Sequence, residues 1–194
     1  WNEYAFAAQP DIPLTYWPAD NPYGNYGQSF LFLAYFLDRF GEEATRALVA
    51  DTANGLVSVD QILADLGEPD PATGRVPTAD DVYAEWAVAA VLNDPSVGDG
   101  RYAYQRYADA PTIEFSDAFR SCPLTEARSV GQYGLDAISL TCDGDWRVSL
   151  EGSTLAPVVP AEPHSGDFAF WSNRGDESNM RLTRAFDLTG VTGE

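Results

Sequence analysis

Partway along this chain the spacing of the apolar residues changes, and that change limits the architecture more than any other feature. Up to about residue 95 the apolar side chains recur three and four apart, the repeat of a helix face. From about residue 112 they fall into short runs separated by turn residues, at the spacing of an all-β region. A chain that starts one way and ends the other is of the α+β class, with helices and strands segregated along the sequence. The division this predicts is a helical part over 1–108 and a strand-rich part over 109–194.

The helical part is well punctuated. Pro10, Pro13, Pro18 and Pro22 limit the first 24 residues to one short helix followed by an irregular, aromatic connection. Gln28 to Phe40 is apolar nearly all round, which suits a helix buried between neighbours, and Gly41 is placed to end it. Glu42 and Glu43 open a second helix that runs to about Asp51. Ser58-Val-Asp-Gln61 has the form of a capping box for a third, closed at Gly67. Residues 68–77 read as a loop. Thr78 then caps a fourth helix with Asp80 and Asp81 in its first turn, and Val82, Trp86 and Ala89 form its apolar face. Strands are predicted over Thr112–Ser116, Leu135–Leu140, Trp146–Leu150, Thr154–Val159, Asp167–Ser172 and Met180–Leu188.

Charge narrows the partners. Thirty acidic residues face eleven basic ones, giving a formal charge of −19, and every basic residue is an arginine. Such a field repels polyphosphate and anionic membrane surfaces, so nucleic acid is excluded as a partner. Solubility in a secreted or salty setting, cation binding and codon usage all fit the acidity, the first and last together being the simplest account. No apolar run approaches the roughly 20 residues of a membrane span. The chain opens at Trp1 without an initiator Met or a leader pattern, and reads as a processed product or a piece of a longer protein. Cys122 and Cys142 flank a strand-like stretch. One disulfide in an oxidising compartment is the favoured reading, two inert buried thiols the alternative.

Several residue groups could carry chemistry. Asp143, Asp145, Asp176 and Glu177 supply oxygen ligands of the kind calcium takes, although their spacing matches no EF-hand loop and solvated turn acids are the simpler account. His164 is the only histidine. With Ser165 and Asp167 merely adjacent in sequence it reads as a turn residue rather than part of a triad. Arg174-Gly175-Asp176 spells an integrin-binding tripeptide that chance accounts for. Strand alternation puts Phe168 and Phe170 on one face, expected to be core, and Trp171 on the other as a surface contact.

Together with the run from His164 to Asp176 and Arg181-Leu182-Thr183-Arg184-Ala185-Phe186-Asp187-Leu188, four further stretches carry a resemblance. They are Pro10-Asp11-Ile12-Pro13-Leu14-Thr15-Tyr16-Trp17, Tyr26-Gly27 leading to Asp38-Arg39-Phe40-Gly41, Asp81-Val82-Tyr83-Ala84-Glu85-Trp86, and Val130-Gly131-Gln132-Tyr133-Gly134. In this order they resemble the region downstream of the zinc-binding helix in secreted metallopeptidases of the immune inhibitor A type. The resemblance implies the helical C-terminal part of a gluzincin-like catalytic domain over 1–108, then an antiparallel β-sandwich portion over 109–194 that stops short of completion. It implies a secreted or cell-surface parent, zinc in that parent, a protein or peptide substrate, and a module that calcium could stabilise.

One departure is decisive for the chain itself. A two-histidine zinc helix needs two imidazoles one turn apart, and no His-Glu-x-x-His is present. Trp1-Asn2-Glu3 invites assignment of Glu3 as the family's third ligand. The spacing is off by one and no glycine follows, so Glu3 is read as an ordinary solvated residue. The chain alone is expected to have no zinc ligands, no catalytic residues and no peptidase activity. The alternative is a non-catalytic extracellular binding or structural module, of the surface or filament kind. Either way, the open edge of Met180–Leu188 is a site for self-association.

Overall fold

Four helices occupy the first half of the chain, and in the order the punctuation predicts. They are α1 (Asn2–Ala8), α2 (Tyr23–Ala50), α3 (Leu56–Leu66) and α4 (Ala79–Leu92), followed by two short strands, β1 (Asp117–Phe119) and β2 (Ile138–Leu140). This is a computed structural model, and it describes residues 1–18, 20–153, 163–167, 169–170, 181–185, 187 and 189–190. The chain divides into two units, Trp1–Ser149 and Leu150–Glu194.

Local chemistry explains the helix ends. Gly41 sits inside α2 at φ 81 and ψ 179, so this element is two helices meeting at a glycine kink, as the break at Gly41 predicts. Its first segment starts at Tyr23, five residues before the expected Gln28. Helix α4 has the full reciprocal cap: Asp81 N–H donates to Thr78 Oγ1 at 3.2 Å and Thr78 N–H donates to Asp81 Oδ2 at 2.9 Å. Asn93 closes it in the left-handed region at φ 39.

The capping box predicted for α3 does not form. Its N-cap is Gly55, and Ser58 Oγ instead donates to Asp51 Oδ2 at 2.5 Å, tying α3 back to the end of α2. Gly67 ends α3 at φ 63, as expected.

Trp86 is the centre of the core. It is fully buried, stacks on Phe6 and meets Phe32 edge-on, each at 5.6 Å between ring centroids. Its indole N–H donates to the Tyr104 hydroxyl at 2.8 Å, so the one polar atom of the ring is satisfied. Leu31, Tyr35 and Phe36 on α2 and Val82 and Ala89 on α4 close around it. The all-round apolar character of Gln28–Phe40 does not mean burial on every side. Phe30 and Leu33 are exposed while Leu31, Phe32, Tyr35 and Phe36 are buried.

Beyond α4 the chain is mostly irregular and is anchored by single hydrogen bonds to helix ends. Ile113 N–H donates to Ala90 O and Glu114 N–H to Ala7 O, both carbonyls in the last turn of a helix and without a helical partner. Ser116 N–H donates to Ala137 O and Leu135 N–H to Pro10 O. This is why Thr112–Ser116 forms no strand: the Ile113 and Glu114 donors go to two different helix ends and not to one neighbouring strand.

The β1–β2 pair is parallel, with Asp117 opposite Ile138 and Phe119 opposite Leu140. Only the second half of the expected Leu135–Leu140 strand enters it, and Trp146–Leu150 joins no strand. Cys122 and Cys142 are joined in a disulfide just past the pair, with Cα atoms 5.9 Å apart.

At the level of class, helices with a short sheet make this an α+β chain. Among the described residues there is no antiparallel β-sandwich. The first unit continues past residue 108 to Ser149, because Ile113, Leu135 and Ala137 are buried in the same core as the helices.

The predicted strand Thr154–Val159 lies outside the described residues, as does half of Asp167–Ser172. Of Met180–Leu188, Arg181–Ala185 and Asp187 are described and carry no strand. Phe170, expected in a core, is 85% exposed; no strand is formed at Ala169 and Phe170 to set it against a partner face. Among the described residues no helix is long and apolar enough to cross a membrane.

Candidate functional site

The corner between α1 and α2 is built by small residues and buried amides. Gly27 faces the start of α1 so closely that a Cβ there would overlap the Asn2 carbonyl, and a Cβ on Gly24 would come within 2.8 Å of Ile12 Cδ1. Asn25 and Gln28, one turn apart on the inner face of α2, are both buried. Asn25 Nδ2 donates to Pro13 O at 2.9 Å and Tyr16 O at 3.1 Å. Gln28 Nε2 donates to Ile12 O at 3.1 Å and Tyr133 O at 2.8 Å. Prolines at 10, 13 and 18 deny this connection a regular ladder, and the two amides satisfy its carbonyls instead.

A cavity of about 360 Å³ opens beside these pins, between the connection and α2. Tyr16, Gln9, Asn21 and Asn25 line it together with Pro13 and Pro18. Next to it in sequence, Trp17 meets Tyr26 edge-on at 4.6 Å. Tyr23, Tyr26, Phe30 and Leu33 continue along α2 as an exposed stripe at helical spacing.

The far side of Gln28 is closed by the Gly131–Gly134 turn. Tyr133 is left-handed at φ 54, its carbonyl accepts from the Tyr83 hydroxyl at 2.6 Å, and its own hydroxyl donates to Asp80 Oδ1 at 2.5 Å. The hydrogen bond to the Asp80 carboxylate pushes the Tyr133 phenol up to about 12. Gly131 N–H donates to Asp11 Oδ1 at 2.6 Å, and a Cβ on Gly134 would overlap that same carboxylate. The Val130–Gly134 motif therefore fastens the irregular segment to α2 and α4.

A second polar group lies between α2, α4 and the loops after α3 and α4. The guanidinium of Arg101, 7% exposed, binds Asp70 Oδ2 at 2.9 Å, Asp99 Oδ2 at 2.8 Å and Glu85 Oε1. Arg39 adds contacts to Asp70 at 3.3 Å and Glu85 at 3.1 Å. The Asp99 carboxyl is held well below its ordinary range, chiefly by the hydrogen bond from Arg101. Burial works against the charge on Asp70, but the N–H groups of Ala72 and Thr73 and the Arg101 guanidinium outweigh it and lower that carboxyl as well. Arg101 is raised, first by its hydrogen bond to Asp99. These three groups stay charged across neutral pH and have no proton to exchange there. This cluster fastens the loops after α3 and α4 to the helices.

The residues singled out in the sequence are scattered. Asp143 and Asp145 flank Gly144, at φ 82, in an exposed turn, while Asp176 and Glu177 lie outside the described residues. Among the described residues no group of three His, Cys, Asp or Glu side chains could hold a metal ion. His164 is exposed; Trp171 and the Arg174–Asp176 tripeptide lie outside the described residues. Glu3 is not freely solvated. Its side chain is 18% exposed and accepts from the Tyr107 hydroxyl at 3.3 Å.

Sequence reasoning missed both the Asn25–Gln28 pins and the Arg101 cluster. The first had a readable signal, two amides one turn apart inside an apolar helix, where an unpaired polar group is costly. The second, apart from Asp99 beside Arg101, pairs residues 16 to 46 positions apart and had none. No protein-family model matches the chain, and no curated protein or solved structure is similar to it at a significant level.

Proposed function

We propose that this chain is the non-catalytic C-terminal portion of a secreted zinc-dependent endopeptidase, with α1 and α2 framing one wall of the substrate cleft. The observation that carries the reading is the exposed aromatic stripe Tyr23–Tyr26–Phe30–Leu33 beside the cavity at the α1–α2 corner. A contiguous apolar surface of this kind is a contact surface in soluble proteins. The order of the motifs from Pro10 to Leu188 supports the family assignment, and the Cys122–Cys142 disulfide agrees with an oxidising compartment. In this proposal the second unit begins a β-sandwich accessory module.

Zinc in such a parent supplies a metal-bound water and polarises the peptide carbonyl. The described residues of this chain do not fit it. Both cysteines are in the disulfide, the one histidine is exposed, and no carboxylate stands near it in a ligand set. Zinc would be held by residues outside this chain.

The test is to read the gene through the codon for Trp1 and express the whole open reading frame. The proposal expects a His-Glu-x-x-His upstream and chelator-sensitive cleavage of a denatured protein, reduced by Phe30→Asp. A reading frame without that motif and without chelator-sensitive activity overturns it. That outcome would favour the second reading, a non-catalytic extracellular binding module, which draws support from the uncharged lining of the cavity.

A further inference from the structure

The cavity at the α1–α2 corner has an unusual lining for so acidic a chain. The net charge is −19, yet none of the described residues lining this cavity carries a carboxylate, guanidinium or imidazole. Its polar groups are the amides of Gln9, Asn21 and Asn25 and the phenol of Tyr16; the rest is proline and aliphatic surface. Asn25 commits both amide hydrogens to Pro13 O and Tyr16 O, so its side chain presents an acceptor oxygen. Gln9 and Asn21 are exposed and can donate or accept. Tyr16, more than half exposed, offers a flat ring, and the Trp17–Tyr26 pair follows it in the chain.

Charge excludes two ligand classes. A cation would find no carboxylate to replace its hydration, and an anion would find no cationic partner inside a repelling field. Backbone pairing argues against a third. A peptide that adds as a strand needs free main-chain groups, but the Ile12, Pro13 and Tyr16 carbonyls are taken by Gln28 and Asn25, and the Pro10 carbonyl by Ile12 and Leu135. What remains is a neutral ligand with hydroxyl groups on its edges and apolar faces. At about 360 Å³ the cavity is at the small end of such sites, which run from roughly 300 Å³ upward.

We propose that this corner binds a neutral glycosyl unit of an oligosaccharide, with the sugar face against Tyr16 and its hydroxyl groups hydrogen-bonded to Gln9, Asn21 and Asn25. The site stands whether or not the chain belongs to a peptidase.

The 194-residue chain, labelled with nitrogen-15, is titrated with maltotriose, cellotriose and triacetylchitotriose. Trigalacturonic acid and an acetylated, amidated alanine-proline peptide serve as controls. At least one neutral trisaccharide should shift the side-chain amide signals of Gln9, Asn21 and Asn25 and the Trp17 indole signal in a saturable way. Tyr16→Ala and Asn21→Ala, both at exposed positions, should each weaken that binding by about tenfold while the remaining spectrum is kept. Val57→Ala on α3, outside the cavity, should leave it unchanged. Silence with all three sugars overturns the proposal. So does binding that both cavity variants leave intact, or a response to the peptide or the acidic sugar alone.

Discussion

The helical body and the irregular segment from Ala110 to Ser149 belong to one unit, yet different forces hold them. In the body, Trp86, Phe6, Phe32, Tyr35 and Phe36 interlock with almost no exposed surface, and area removed from water dominates. In the segment, few large side chains are buried. Its place is set by directed contacts: backbone donors to orphan carbonyls at the ends of α1 and α4, the Tyr133 clamp, the Arg128 ion pairs and one disulfide. A non-directional force tolerates local adjustment, whereas a set of point contacts holds only while each point is made.

The sharpest way to break the body is Trp86→Ala. Removing a fully buried ring that contacts Phe6, Phe32 and Tyr83 should cost about 3–5 kcal/mol in urea unfolding. The Tyr104 hydroxyl also loses its indole donor. A midpoint close to that of the parent would show that the core is not centred on this ring.

For the segment, the largest effect should come from Cys142→Ser. The bridge closes a separation of 20 residues. In the chain-entropy account such a loop contributes about 3 kcal/mol, mostly by restricting the unfolded chain. Intact mass before and after reduction checks that the bond is present, and denaturant unfolding checks its contribution. Equal stability with and without the bond would mean that the clamps alone hold the segment.

The same contrast explains what could be read in advance. Helix ends were legible because their causes are local: Gly41, Gly67, and Thr78 with Asp81 each act within four residues. The face of Trp86 was legible from spacing. Ser58-Val-Asp-Gln61 misled because the serine had a better partner in Asp51, seven positions back, than in its own helix end. Strand reasoning failed over Thr112–Ser116 for a related reason. Alternation predicts a residue's face but not its hydrogen-bond partner, and here the partners include helix ends. The cavity was invisible because it depends on how a proline-rich connection folds over α2.

Acid should weaken the loop-fastening cluster by a predictable sign. The folded-state carboxyls of Asp70 and Asp99 are lowered, so the stability they contribute is present above the ordinary carboxylate range, near pH 4, and is lost as pH falls through and below it. Asp70→Asn should cost about 1–3 kcal/mol at neutral pH, because Arg101 and Arg39 keep only a neutral partner in its place. The difference between parent and variant should shrink at low pH. A difference that holds constant down to pH 2, roughly two units below the ordinary carboxylate value, would remove Asp70 from the acid response.

The smallest effect separates the two regions most cleanly. Arg128 holds Asp136 through two hydrogen bonds at 2.5 and 3.1 Å and Asp117 through one at 2.7 Å, bridging the start of β1 to the approach to β2. The group lies near solvent, where ion pairs contribute little to global stability and salt screens them. Arg128→Ala should therefore leave the melting temperature within a few degrees of the parent. Locally the effect should be plain, because β1 and β2 are only three residues each and the bridge fixes their parallel register. Hydrogen exchange should quicken at the amides between Asp117 and Thr141 and stay unchanged across α4. High salt should move the parent in the same direction. Faster exchange in α4 as well would mean that the segment and the body open as one cooperative unit, and that the division between packed and pinned regions is not a division in stability.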